Sequence, residues 1–156
     1  METKKHLLIV YHSQSGHTEA MAHAVIRGAG DAAIEGVEVT VKAALEATAA
    51  DVMGADGIIL GTPENFGYMS GAMKYFFDTI YYPCLERSQG LPYGLFIRAG
   101  NDGQGALASV TRIITGLGWK LVAPPVIVAG EFDEQRLADC TDLGMALAAG
   151  LETGVF

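Results

Sequence analysis

Five short apolar runs recur along the chain, at residues 7–11, 37–41, 57–60, 94–97 and 122–128, and helix-spaced segments separate and follow them. The middle and late runs are nearly continuous in apolar residues rather than alternating, which is the pattern of strands covered on both faces. After Ser70, the residues Met73, Phe76, Phe77 and Ile80 fall at i, i+3, i+4 and i+7 and mark one buried helical stripe, with Ser70 placed to cap it. A second stripe, Leu107, Val110, Ile114 and Leu117, is expected to end at Gly116 and Gly118. Met21 and Val25 belong to a helix closing near Gly28 and Gly30, and a last helix is expected over 134–149 with Leu137, Cys140 and Leu147 inward. Segment 47–53 has the weakest helical pattern. Strand and helix therefore alternate, and right-handed crossovers then require an open parallel sheet with helices on both faces. In such a sheet a ligand binds outside the carboxyl ends of the strands, where the strand order reverses.

Composition narrows the class. At 156 residues, half of them apolar, the chain is expected to form one domain spanning 1–156, burying roughly two-thirds of its unfolded surface. The net charge of −8, with no basic cluster beyond Lys4-Lys5, offers no footprint for nucleic acid. Cys84 and Cys140 lack any C-x-x-C or Cys/His grouping, so neither a disulfide scaffold nor a metal site is expected. The apolar run after Lys4-Lys5 is too short for a secretory core, and no uninterrupted apolar segment is long enough to span a membrane, so the expected location is cytoplasmic.

Three loops follow strand ends. The first, His12-Ser13-Gln14-Ser15-Gly16-His17-Thr18, leads into a helix and holds small hydroxyls and a glycine but no Lys or Arg. By itself it fits either a helix cap or an anion cradle of backbone amides and Ser13, Ser15 and Thr18 hydroxyls. The second is Gly61-Thr62-Pro63-Glu64-Asn65-Phe66-Gly67-Tyr68-Met69, where Pro63 restricts φ and Gly67 permits a positive one. The third is Arg98-Ala99-Gly100-Asn101-Asp102-Gly103-Gln104-Gly105. Its Gly103-x-Gly105-x-x-Ala108 only superficially fits a dinucleotide fingerprint, since it follows the fourth run and lacks a suitable acidic residue about twenty positions on. A phospho-receiver needs carboxylates where this chain has Tyr11-His12 and Gly61-Thr62, and a hydrolase elbow of the G-x-S-x-G kind is missing.

Ser13-x-Ser15-Gly16-x-Thr18 after a first strand resembles the FMN-phosphate loop of the flavodoxin family. The second loop, continued by Ser70-Gly71 and Lys74-x-Phe76-x-Asp78, is similar to that of the FMN-dependent NAD(P)H:quinone reductases of the tryptophan-repressor-binding-protein-like branch. The resemblance implies a flavodoxin-like three-layer α/β sandwich with a five-stranded parallel sheet of order 2-1-3-4-5. It also implies FMN as cofactor, its phosphate held by Ser13, Gln14, Ser15, Gly16, His17 and Thr18. The ring would be approached by Thr62, Pro63, Glu64, Asn65, Phe66 and Gly67 on one side and by Ala99, Gly100, Asn101, Asp102 and Gly105 at its pyrimidine end. Glu64 is alternatively an exposed loop charge, and Phe66 and Tyr68 either border the flavin or fill core or interface space.

The absence of an aromatic in the third loop leaves one flavin face open. The implied activity is transfer of hydride from NAD(P)H through bound FMN to a quinone or similar acceptor, with an electron carrier as the alternative and a dimer or tetramer as an implied assembly. No catalytic side-chain acid or base is singled out. On the residues alone, His17 reads as an exposed loop histidine, His12 as a support of its loop, Arg98 as a cofactor contact or the partner of a carboxylate, and Cys84 as a packed thiol. Trp119 and the Tyr81-Tyr82 pair read as core or subunit-contact residues.

Overall fold

The computed structural model describes residues 3–14 and 16–156. Its strands are β1 (Lys5–Tyr11), β2 (Val37–Ala43), β3 (Gly57–Asn65), β4 (Tyr68–Met69), β5 (Pro92–Ala99), β6 (Lys120–Leu121) and β7 (Val126–Ala129). Its helices are α1 (Gly16–Ala29), α2 (Ala49–Met53), α3 (Gly71–Cys84), α4 (Gln104–Leu117) and α5 (Leu137–Thr153), the last preceded by a 3-10 turn at Glu134–Arg136. The strand order is β2-β1-β3-β5-β6, with β7 also beside β5, and every pair is parallel except the short β3–β4 hairpin.

Alternate side chains of each central strand enter two separate cores, which is why the apolar runs show no alternation. Leu8, Val10, Ile58 and Leu60 pack beneath α3 and α4 with Met73, Phe76, Phe77, Val110 and Ile114. Leu7, Ile9, Ile59 and Phe96 face α1 and α5, against Met21, Val25, Cys140 and Leu147. Phe96 needs Gly61 beside it, because a Cβ at that glycine would lie 2.0 Å from the ring.

The expected boundaries need three corrections. The run 122–128 is not one strand: only its end is extended, in β7, while β6 (Lys120–Leu121) precedes it, and between the two strands Pro124 and Pro125 supply no backbone N–H for a ladder. Gly116 does not end its helix. The position is occupied from outside by Tyr81, whose hydroxyl lies 2.4 Å from where a Cβ would stand, and the helix stops instead at Gly118 (φ +75°), whose N–H reaches Ile114 and Thr115. The final helix runs past 149 to Thr153, since Gly150 is an inward gap filled by the Phe156 ring and the left-handed cap is Gly154 (φ +72°). The first helix closes where expected, at Ala29 between Gly28 and Gly30, and α5 crosses it at Gly28. The weak segment 47–53 does form a helix, α2, secured by a reciprocal Thr48–Asp51 capping box.

Cys84 and Cys140 are buried and unbridged. Burial, reinforced by the adjacent Asp139 carboxylate, pushes the Cys140 thiol up to about 11 from 9.0. The folded chain then retains a proton that the unfolded chain releases, so the Cys140 contribution to stability is intact below pH 9 and lost as pH rises through about 11. Urea titrations at stepped pH should show this decline in wild type, and a smaller one in Cys140→Ala; equal declines would contradict it.

Candidate functional site

At the carboxyl ends of β1, β3 and β5 the three loops anticipated from the sequence come together, each fastened to a neighbour. Gln14 Oε1 accepts from Asn65 Nδ2 at 2.5 Å, joining the first loop to the second. The second loop is a hairpin whose two turn residues, Phe66 (φ +54°) and Gly67 (φ +70°), are both left-handed, with Asn65 paired to Tyr68. Two positive φ values suit the right-handed twist of a two-residue hairpin. For Phe66 that conformation costs roughly 1–2 kcal/mol, and the ring is fully exposed at 106%. At the hairpin base, fully buried Thr62 donates its hydroxyl proton to the Pro63 carbonyl (2.8 Å) and accepts from Ser70 N (3.0 Å). The Thr62 side chain is therefore committed to shaping the loop. Ser70 also accepts from Met73 N and caps α3 as expected.

Five helices begin at this edge; described side chains cap α2, α3 and α4, and α5 is entered through the 3-10 turn that Asp133 caps. Thr48 and Asp51 serve α2, and Ser70 serves α3. At α4 the N-cap is Gly103, without a side-chain oxygen, and Asp102 accepts from Gln104 N (3.0 Å) while Glu64 accepts from Ala106 N (3.0 Å). At the start of α1 one buried hydroxyl is unpaired. Thr18, in its first turn, is fully buried with no hydrogen-bond partner for its hydroxyl, and among the described residues only His12 Nδ1 shares that condition. An unpaired buried polar group costs about 1–3 kcal/mol. A Cβ at Gly16 would meet nothing within 4 Å, so the space over the helix start is open. Backbone dipole, orphaned hydroxyl and open space suit a phosphate at α1. Ser15, expected in this cradle, lies outside the described residues. A surface hollow of ≈ 670 Å³ lies at the opposite edge of the sheet, around Lys4, Gly36 and Glu152. There Glu152 is satisfied by Gly36 N at 2.6 Å, so the α1 end, with its unmet polar group, is the better candidate.

The sequence reading attached no role to Phe132. Its ring stacks on His17 (centroids 4.3 Å apart, planes within 5°), and the Arg98 guanidinium lies 5.5 Å from its centroid. Arg98 donates to the carbonyls of Ala99 (2.7 Å) and Val128 (3.0 Å), so backbone oxygens and an aromatic face hold it, and of its two expected roles the carboxylate pairing is not the one found. His17 is exposed, as anticipated, and the stack braces it. No local pattern announces Phe132, because 115 positions separate it from its partner. In the third loop Gly100, Asn101 and Asp102 are exposed and Ala99 is buried. Trp119 packs between Phe77 and Tyr93 and donates to Ser88 (2.8 Å), well inside the core. The Tyr11 phenol, just before the first loop, is raised above its ordinary value by burial and then by Glu19.

The fold is a doubly covered parallel α/β sheet with a candidate anion site at its carboxyl edge. The Flavodoxin family pattern matches residues 9–146, and the chain belongs to that family, whose cofactor is FMN. A flavodoxin of Aquifex aeolicus (strain VF5) is 36% identical over 111 residues, covering 71% of this chain and 59% of its own. A probable NAD(P)H dehydrogenase (quinone) FQR1-like 2 of Arabidopsis thaliana is 32% identical over 133 residues, covering 71% of this chain and 48% of its own. The chain thus spans between about half and three-fifths of the length of these curated relatives. Among solved structures, a WrbA-like flavodoxin from Agrobacterium tumefaciens superposes with a TM-score of 0.76 at 26% identity, over 96% of this chain and 99% of its own. No helix among the described residues is long and apolar enough to cross a membrane.

Proposed function

We propose that the chain acts as one FMN-binding domain of a cytoplasmic oxidoreductase that oxidises NADH or NADPH and reduces a quinone or similar acceptor. Bound FMN supplies the redox chemistry, taking two electrons from a nicotinamide and passing them on. The chain's own residues bind and orient it. The amides at the start of α1 and the hydroxyls of Ser13 and Thr18 would hold the phosphate. The hairpin from Pro63 to Gly67 would flank the ring, and backbone groups of Ala99, Gly100, Asn101 and Asp102 would meet its pyrimidine end.

The observation that carries the enzymatic reading is the third loop. It has no aromatic, and Asp102 folds back onto Gln104 N instead of reaching over the cleft, so a flat donor has room against one ring face. The relative described as a quinone-type NAD(P)H dehydrogenase supports the same reading. Fully exposed Phe66 suits assembly into a dimer or tetramer in which a second copy covers it.

The second reading, an electron carrier without direct nicotinamide oxidation, is favoured by the 36% identical flavodoxin and by the net charge of −8. An anaerobic visible spectrum of the FMN-loaded protein separates the two. Bleaching within seconds of adding NADH or NADPH is expected and names the donor. Retained yellow colour with both nucleotides would sink the enzymatic reading and leave the carrier.

A further inference from the structure

The hairpin that would flank the flavin is fastened sideways to α4, by contacts that do not involve a ligand. Glu64 Oε2 accepts from Ala106 N at 3.0 Å, and Met69 N donates to Ser109 Oγ at 3.1 Å. Between these bonds the two backbones touch: a Cβ at Gly105 would stand 2.0 Å from the Gly67 carbonyl oxygen, so only glycine permits the approach. Of the three ties, the Glu64 carboxylate is the one with formal charge. A charge-assisted bond to a backbone amide is roughly twice as strong as a neutral one, and a carboxylate also complements a helix N-terminus. Helix α4 cannot supply this cap itself, because its N-cap is Gly103 (φ +75°) with no side-chain oxygen. The same helix carries the third loop at its start, so its position and the hairpin's set the gap between the loops.

We infer that Glu64 is a positioning residue: by capping α4 it clamps the Phe66–Gly67 hairpin against the third loop and preforms the slot for the isoalloxazine ring. The inference rests on the ring placement proposed above. Glu64 then acts through Ala106, and its carboxylate is not free to contact the flavin. A preformed slot spares the ligand the cost of ordering the hairpin, so the clamp contributes affinity for the ring and none for the phosphate.

The test compares Glu64→Ala, which removes the acceptor, with Glu64→Gln, which keeps an oxygen for Ala106 N. In flavin-free Glu64→Ala, hydrogen exchange at the Ala106 amide and across the hairpin should accelerate about tenfold, as expected when a bond of this kind is lost. Dissociation constants for FMN and riboflavin should both rise about tenfold, while the constant for inorganic phosphate competing with FMN stays unchanged. Glu64→Gln should restore most of both effects. If FMN and riboflavin bind Glu64→Ala as tightly as wild type, or if phosphate weakens in step with them, the clamp is overturned while the ring placement stands. If wild type binds FMN but not riboflavin, the ring placement fails and the inference fails with it.

Discussion

Gly144→Ala should lower the melting temperature by about 10 °C, although alanine is the better helix former by about 1 kcal/mol. Helices α1 and α5 cross at backbone contact. A Cβ at Gly144 would stand 2.0 Å from the Val25 carbonyl oxygen, and one at Gly28 would stand 1.9 Å from that of Thr141. No flexible side chain is available to yield, so the helices must separate. Overpacking of this kind costs about 1–3 kcal/mol and occasionally more, and contact with backbone on both sides puts Gly144 at the upper end. Gly71→Ala is the matching control, since that glycine opens α3 with nothing within 4 Å of a Cβ. There the sign reverses, and a gain of a few tenths up to about 1 kcal/mol is expected from reduced freedom of the unfolded chain. Calorimetry on the three proteins decides the matter. A Gly144→Ala protein that melts with wild type would show that α1 and α5 are not in backbone contact.

Thr18→Val should weaken FMN by one to two orders of magnitude while leaving the flavin-free protein as stable as before or slightly more so. The hydroxyl is buried and unpaired, so replacing it with a methyl group of similar shape removes a polar group that nothing in the flavin-free chain satisfies. With a phosphate over α1 the same hydroxyl becomes a donor to a charged acceptor, worth about 1.5–3 kcal/mol. Riboflavin, which lacks the phosphate, should bind the variant as it binds wild type. Quenching of flavin fluorescence gives both constants directly. Unchanged FMN affinity would remove Thr18 from the phosphate site, and parallel loss of riboflavin would move its role to the ring.

The two variants probe contacts that differ in how far they could be read from residue order. Thr18 could be proposed for a phosphate cradle from residue order, because such a cradle at a helix start is built from consecutive residues. Ser70 was legible for the same reason, since a cap lies three positions from the amide it binds. The hairpin was half legible: Gly67 announces a positive φ, whereas Phe66 in the same conformation contradicts its intrinsic preference and is held there by the pairing of Asn65 with Tyr68. Glu64 could be read as a flavin contact or as a solvated charge. Its partner, Ala106, is 42 positions away and presents only a backbone amide, which leaves no trace in residue type.

The alternation of strands and helices and the double covering of the sheet follow from the periodicity of apolar residues alone, because burial selects side chains one element at a time. The candidate phosphate loop is a short local pattern that by itself also fits a helix cap. Tertiary structure alone decided that Gly116 and Gly150 continue their helices, that Arg98 and His17 meet across Phe132, and that Glu64 caps a helix other than its own. Each of these depends on which distant atom fills a particular few ångströms of space. That choice belongs to the packing of whole elements, and a glycine or a carboxylate has the same local signature whichever way it falls.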